Sequence, residues 1–453
     1  MRRPRLGILL LAAVLAVSFG FHAWFAAHPS SGYQSADERS YGRLAIALAE
    51  DGSYSGGERP LHWPPGAPAF FGVAHLLFGS AESATSYDLP AAYWFQAVLA
   101  LGTALAAGAL ALALAGRRAG LVGTALVALY PPLILATGEQ LSEPLGAFFL
   151  VAGFAALAWA ARRRRTPLYA LAGVLLGLSV LARADLILVP FLTAALCVAW
   201  PHGKRTREPG TGAIEPSRRG RGRRHLAAGA LVAGGALLVI APWATYASLR
   251  ADAFVPVTTG GGSALFVGTY LPGGGTTVGL KRALGAEAKR RNPKLRGIPD
   301  FDLEARSVLA VIAARHPELS FEAALQREGR ANLRRYATGE PLAFARMMLN
   351  KGLIRMWSRY SRGGARPTSW QIRVWHILLV LGATAGLVAG LVRRPNVVLA
   401  AVLAAALCST AIHMIVVSQA RYNLPLMPSL LAAGTAGWFL FGTARRSPAP
   451  APT

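Results

Sequence analysis

The 453 residues are 53% hydrophobic and only 15% charged, with a mean hydropathy of +0.39, which excludes an ordinary soluble domain and leaves a polytopic membrane protein. Cys197 and Cys408 both fall inside apolar runs, so there is neither a disulfide framework nor a thiolate zinc site. A net charge of +26 would suggest nucleic acid in a soluble protein; here each basic residue has to be assigned to a side of the membrane first.

The chain opens on MRRPRLGILLLAAVLAVSFGFHAWF, whose apolar run of roughly twenty residues is long for the h-region of a secretory signal, so it is expected to remain as a first span. Asp37 and Glu38 follow. Tyr41, Leu44, Ala45 and Leu48 then recur at helical spacing and Gly52 stops the run, so the acidic pair opens a short amphipathic helix near the membrane surface. Carboxylates at the mouth of a membrane bundle are functional-site candidates; the competing reading is that Asp37 caps the helix. Next come Glu58 and His62, then Pro64-Pro65-Gly66-Ala67-Pro68, whose prolines force extended or turning backbone before an apolar piece too short to span. Glu58 and His62 are candidates for a divalent metal, against the simpler reading of a solvated loop.

Apolar runs of bilayer length lie near 6–27, 90–116, 119–137, 143–161, 168–183, 185–200, 226–248, 372–392, 396–417 and 424–442, which gives about ten spans. With the basic N-terminus inside, the short inner connections hold Arg117-Arg118, Arg162 to Arg165 and Arg393-Arg394, and the short outer ones hold only Arg183 and Arg421. Both termini are then cytoplasmic. The Arg-rich, Gly/Pro-rich segment 201–225 falls inside as a linker attracted to headgroups; it lacks interleaved aromatics, so no nucleic-acid role is expected.

The same topology places the acidic pair, the turn GEQLSEP with Glu139 and Glu143, and the long segment 249–371 outside. Glu139 and Glu143 lie four apart, hence on one helical face at the head of a span, and are acceptor or cation candidates, or else simply favour the helix dipole. Arg183 and Arg421 each stand alone at an outer helix end and suit a phosphate; snorkelling, or a local pair of Arg183 with Asp185, competes. Segment 249–371 holds more than twice as many basic as acidic residues. Within it, 303–315, 320–336 and 341–357 read as amphipathic helices, the last bearing Lys351 and Arg355 as further candidates for contact with anionic headgroups or a lipid phosphate. Gly260 to Gly262 and Gly273 to Gly275 lack the Gly-Lys-Ser/Thr of a nucleotide loop and read as flexible turns; no nucleotide cofactor is expected.

Five strings resemble, in order, the GT-C membrane glycosyltransferases of the protein O-mannosyltransferase and aminoarabinose-transferase group. They are Asp37-Glu38 with its helix and the Pro-Pro-Gly-Ala-Pro turn, Tyr130 to Pro144, Leu171 to Arg183, Ala241 to Gly262, and Ser418 to Pro428 with its Arg-Tyr-x-x-Pro-x-x-Pro. The resemblance implies an all-α GT-C-like bundle with an outer layer of amphipathic helices. Its parts would be an N-terminal bundle over 1–248, an outer segment over 249–371, C-terminal spans over 372–442 and a disordered inner tail over 443–453. It also implies transfer of a sugar from a polyprenyl-phosphate donor to a hydroxyl of a protein, lipid or polysaccharide at the outer leaflet of the cell membrane. Asp37 would be the base, Glu38 an orienting neighbour, and Arg421 with Arg183 the phosphate ligands. Some relatives bind a divalent metal. The rival is a transporter or flippase for a lipid-linked or anionic substrate, which needs the same cations but no base.

Overall fold

The computed structural model describes residues 3–29, 36–55, 60–79, 87–200, 218–360 and 369–443. Glu58, most of the Arg-rich linker and the tail beyond 443 lie outside the described residues.

Among the described residues the chain is helical, with no strand. The first part contains α1 (Arg3–Ala27), α2 (Ala36–Glu50), α3 (Gly66–Phe78), α4 (Pro90–Ala115), α5 (Arg117–Ala128), α6 (Pro131–Ala136), α7 (Glu143–Arg163), α8 (Thr166–Ala182), α9 (Leu188–Ala199) and α10 (Arg218–Ala251). The segment rich in basic residues follows as α11 (Gly261–Thr269), α12 (Thr277–Arg291), α13 (Ala305–Ala313), α14 (Phe321–Gly339) and α15 (Pro341–Leu349), and α15 runs on into a π-helical turn over Asn350–Arg355. The last three are α16 (Trp370–Arg393), α17 (Val397–Ile415) and α18 (Met427–Thr443).

Among the described residues six helices, α1, α4, α7, α10, α16 and α17, are long and apolar enough to cross a membrane. Several of the ten expected runs form shorter or broken helices. The 119–137 run is broken, because Pro131 and Pro132 lack backbone donors and Tyr130 before them is extended, so α5 ends and the short α6 begins. The 185–200 run starts with a 3₁₀ turn over Ala184–Leu186 and leaves α9 only 12 residues, and α8 has 17.

Small residues set the closest helix crossings. A Cβ on Gly437 of α18 would stand 1.9 Å from the Gly386 carbonyl of α16, so backbone meets backbone there, the close approach that membrane helices use when they have no hydrophobic drive to associate. Around these crossings Tyr130, Leu150, Phe154, Leu176, Val232, Leu399, Met427 and Leu431 form one continuous buried core.

Helices α11 to α14 carry a separate core of Phe266, Leu280, Leu284, Leu303, Val308, Leu309, Ile312 and Leu325. The three amphipathic helices expected over 303–357 are present as α13, α14 and α15. Gly261 and Gly262 are not a flexible turn, however. They lie in the first turn of α11, and a Cβ on Gly262 would stand 2.1 Å from the Glu322 carbonyl of α14, so glycine there permits close helix packing. Gly273 to Gly275 do form a turn, with positive φ at Gly274 and Gly275.

Candidate active site

The acidic pair begins α2, as its sequence position requires: Asp37 and Glu38 fill the first turn, where carboxylates favour the helix dipole. Asp37 does more than serve the helix end, because its carboxylate accepts a hydrogen bond from Nη2 of Arg421, 384 residues away. Arg421 stands in a 3₁₀ turn over Ala420–Asn423 between α17 and α18. Its Nε donates to Gln419 Oε1 at 3.1 Å and lies 3.3 Å from Glu143 Oε1. The same Glu143 oxygen is 2.9 Å from Nη1 of Arg183 at the end of α8. Arg183 Nε continues to Asp185 Oδ1 at 3.1 Å, and Asp185 Oδ2 is 3.2 Å from His413 Nε2 in the last turn of α17.

Six ionisable side chains therefore alternate in one chain: Asp37, Arg421, Glu143, Arg183, Asp185, His413. The Tyr422 ring lies against it, with the Arg183 guanidinium 4.9 Å from the ring centroid and the His413 ring at 4.8 Å. Burial alone would push the Arg421 guanidinium down, but Glu143 and Asp37 outweigh it and hold it well above its ordinary value. Burial likewise opposes ionisation of Asp185, and Arg183 with His413 outweighs it and holds the carboxyl below the usual range.

The two arginines differ in what remains free. All three nitrogens of Arg183 are engaged: Nε and Nη2 by Asp185, at 3.1 and 3.4 Å, and Nη1 by Glu143 and by Ser142 Oγ at 3.4 Å. Nη1 of Arg421 is buried with no hydrogen-bond partner, and a buried donor of that kind is worth satisfying.

The Pro-Pro-Gly turn helps place this site. A Cβ on Gly66 would stand 2.7 Å from the Leu181 carbonyl and 2.8 Å from the Ala182 amide, so α3 begins against the end of α8 that carries Arg183. Tyr41 of α2 donates to Ser142 Oγ at 3.2 Å, which joins α2 to the start of α7. Behind Arg421, Asn423 donates to the Arg359 carbonyl at 3.1 Å and lies 3.3 Å from His376 Nε2, while His376 Nδ1 is 2.7 Å from the Tyr130 hydroxyl.

The remaining candidates fall elsewhere. Glu38 is buried and its Oε1 accepts from the Gln140 amide at 3.3 Å, which ties α2 to the turn before α7. Glu139 and Glu143 do not share a helical face: α7 begins at Glu143, and Glu139 sits in the preceding turn with its carbonyl accepting from Gln96 at 2.7 Å. Lys351 is buried in the π-helical turn and donates to the Val416 carbonyl at 2.6 Å, with burial pushing its amine down to about 7. Arg355 faces a separate cavity beside Gly273 and Gly274. His62 ends a 3₁₀ turn, its ring against Trp63 and so close to Gly260 that a Cβ there would stand 2.3 Å away. Among the described residues no group of three or more His, Cys, Asp and Glu is placed to hold a metal ion.

Sequence reasoning did not single out His413, and took Asp185 only as a local partner of Arg183. A polar residue closing an otherwise apolar span, as in AIHMIVV, was the available signal for His413.

No protein-family profile matches the sequence, and no curated protein does. Solved structures do. The archaeal oligosaccharyltransferase AglB from Archaeoglobus fulgidus, solved with an inhibitory peptide and a dolichol-phosphate, superposes with a TM-score of 0.53 at 14% identity over 97% of this chain. The oligosaccharyltransferase of the same organism tethered to an acceptor peptide gives 0.54 at 14% identity over 98%. The chain shares the fold of these oligosaccharyltransferases. The chain spans about half the length of these oligosaccharyltransferases, 50% in each case. ArnT from Cupriavidus metallidurans bound to undecaprenyl phosphate is also similar, at 16% identity over 95% of this chain and 77% of that one, with a TM-score of 0.40.

Proposed function

We propose that the protein is a membrane glycosyltransferase that moves a sugar from a polyprenyl-phosphate donor to an acceptor hydroxyl at the outer leaflet. The observation that carries this reading is the coupling of Asp37 to an arginine that keeps one buried donor, Arg421 Nη1, without a partner. A carboxylate beside an unsatisfied guanidinium N–H supplies the two groups the reaction needs. In the transfer, the acceptor oxygen forms a bond to the anomeric carbon, the bond from that carbon to the phosphate oxygen breaks with its electron pair, and Asp37 takes the acceptor proton. Arg421 Nη1 receives the phosphate oxygen, where a charge-assisted hydrogen bond is strongest as negative charge builds up. Arg183, fully engaged, fixes Glu143, and Glu143 fixes Arg421. Glu38 holds the start of α2 against the Gln140 turn.

Superposition on AglB, whose structure holds a dolichol-phosphate, supports a lipid-linked donor. In this reading the 1–248 unit supplies the base, the 372–442 unit supplies Arg421, and the 249–371 layer covers the site; both termini are cytoplasmic. Against transport, the six ionisable residues lie at helix ends and connecting turns, whereas transported substrates bind near mid-span.

The test is reconstitution in liposomes with a panel of labelled polyprenyl-phosphate sugars and of hydroxyl acceptors. Covalent product is expected, with Asp37→Asn slower by about 10²–10⁴-fold when compared as folded protein, since loss of the Arg421 partner also lowers its melting temperature. Movement of intact label across the bilayer without product, or full activity of Asp37→Asn, defeats the reading.

A further inference from the structure

Outside the ion chain, a cavity of about 580 Å³ opens between the Pro272–Gly274 turn, the first turns of α12 and Arg355. Its charged lining is Arg282 and Arg355; no acidic residue and no member of the ion chain lines it. Neither arginine forms an ion pair among the described residues. Their neighbours do: Lys289 pairs with Asp300, Arg291 with Glu287 and Arg327 with Glu318. Arg359 adds like charge near Arg355. Both guanidiniums are exposed to solvent, and no acidic side chain among the described residues pairs with either.

The turn makes the room. Gly274 has φ of 57° and a Cβ there would meet nothing within 4 Å, so the wall is open on that side. The amides of Gly273, Gly274, Gly275 and Thr276 are spent on carbonyls of the same turn, so recognition falls to the two side chains, with the positive end of the α12 dipole adding to their field.

We propose that this cavity binds a phosphate-bearing ligand, held by Arg282 and Arg355. Two planar guanidiniums match the oxygens and double charge of a phosphate better than the single charge of a carboxylate. The hollow is open to solvent and wide enough to admit the group on a larger carrier. That carrier is either a lipid, with the phosphate as headgroup, or a soluble phosphate ester. The inference does not rest on the transferase reading.

The test uses the full-length protein in phosphatidylcholine nanodiscs. Binding of pyrophosphate and of glucose 1-phosphate is measured by calorimetry, and a second set of nanodiscs containing phosphatidic acid is scored by the rise in melting temperature. Arg282→Gln and Arg355→Gln are each expected to weaken binding about ten-fold, the loss of one charge-assisted contact. Arg282→Lys and Arg355→Lys should recover part of it. Arg327→Gln, which removes one charge from the same layer, should change nothing. Loss confined to the soluble ligands identifies a phosphate ester, and loss confined to phosphatidic acid identifies a lipid headgroup. Unchanged binding of both in the Gln variants, an equal effect of Arg327→Gln, or no binding of either ligand class overturns the proposal. Single variants that keep the parent melting temperature are the ones compared.

Discussion

Arg183 and Arg421, 238 positions apart in the chain, meet on one carboxylate oxygen, Glu143 Oε1, at 2.9 and 3.3 Å. A buried carboxylate shared by two buried guanidiniums keeps like charges together that would otherwise separate or take up water. Removing its charge leaves each arginine with one carboxylate partner and with the other arginine still close by. Glu143→Gln is therefore expected to destabilise the protein by about 3–5 kcal/mol, the range for breaking a buried ion pair from one side. Thermal unfolding in detergent measures this; a melting temperature equal to the parent's would show that Glu143 is not the hub.

The two arginines should respond differently to the same substitution. Arg421→Lys keeps a charge for Asp37 but loses the planar fork and its free Nη1, so donor affinity should fall about ten-fold or more. Arg183→Lys alters contacts to Asp185, Glu143, Ser142 and the Tyr422 ring and leaves Arg421 Nη1 in place, so its effect should appear in stability and leave donor affinity within about two-fold. Titration of both variants with a labelled polyprenyl phosphate separates the roles. Equal losses of affinity would mean that Arg183 also touches the phosphate.

How much of this was legible in the sequence depends on the range of the interaction. The start of α2, the Pro-Pro-Gly turn and the helices of the basic segment follow from local periodicity and from proline chemistry, and they were readable. Asp37 and Arg421 could each be nominated, because each is an ionisable residue at a span end. Their pairing could not, since no local rule reaches across 384 residues. Lys351 looked like an exposed cation on an amphipathic face; the π-helical turn over Asn350–Arg355 shifts the register there and turns it inward to the Val416 carbonyl. Glu139 and Glu143 looked like one helical face because i, i+4 spacing was assumed to mean helix, whereas the backbone is still turning until Ser142.

Lys351 gives a pH dependence whose sign can be worked out. Its amine has a folded-state value of about 7 against an ordinary 10.5, lowered by burial. Between those values the unfolded chain holds a proton that the folded chain lacks, so this group makes stability rise with pH across the window and flatten below it. Melting temperatures measured from about pH 7 to about pH 10 should climb more steeply in the parent than in Lys351→Met, after allowance for the groups common to both. Parallel curves would place the Lys351 amine in contact with water.

Gly66 offers a steric test of how the site is held. A Cβ there would meet the Leu181 carbonyl and the Ala182 amide at 2.7 and 2.8 Å, and both are backbone atoms at the end of a helix, so neither can rotate away as a side chain would. Gly66→Ala must push α3 from α8 or drag the end of α8 with it, and Arg183 is the next residue along. Overpacking of this kind costs about 1–3 kcal/mol, and because the displaced segment carries Arg183, the proposed transferase activity should fall along with stability. Gly20→Ala in α1 is the matched control: no atom lies within 4 Å of a Cβ at that position, and alanine favours a helix over glycine by about 1 kcal/mol. Unfolding and activity of the two variants, compared side by side, are expected to move in opposite directions for stability and to diverge for activity. Should Gly66→Ala match the parent in both, the Pro-Pro-Gly turn serves chain reversal alone and does not hold Arg183 in place.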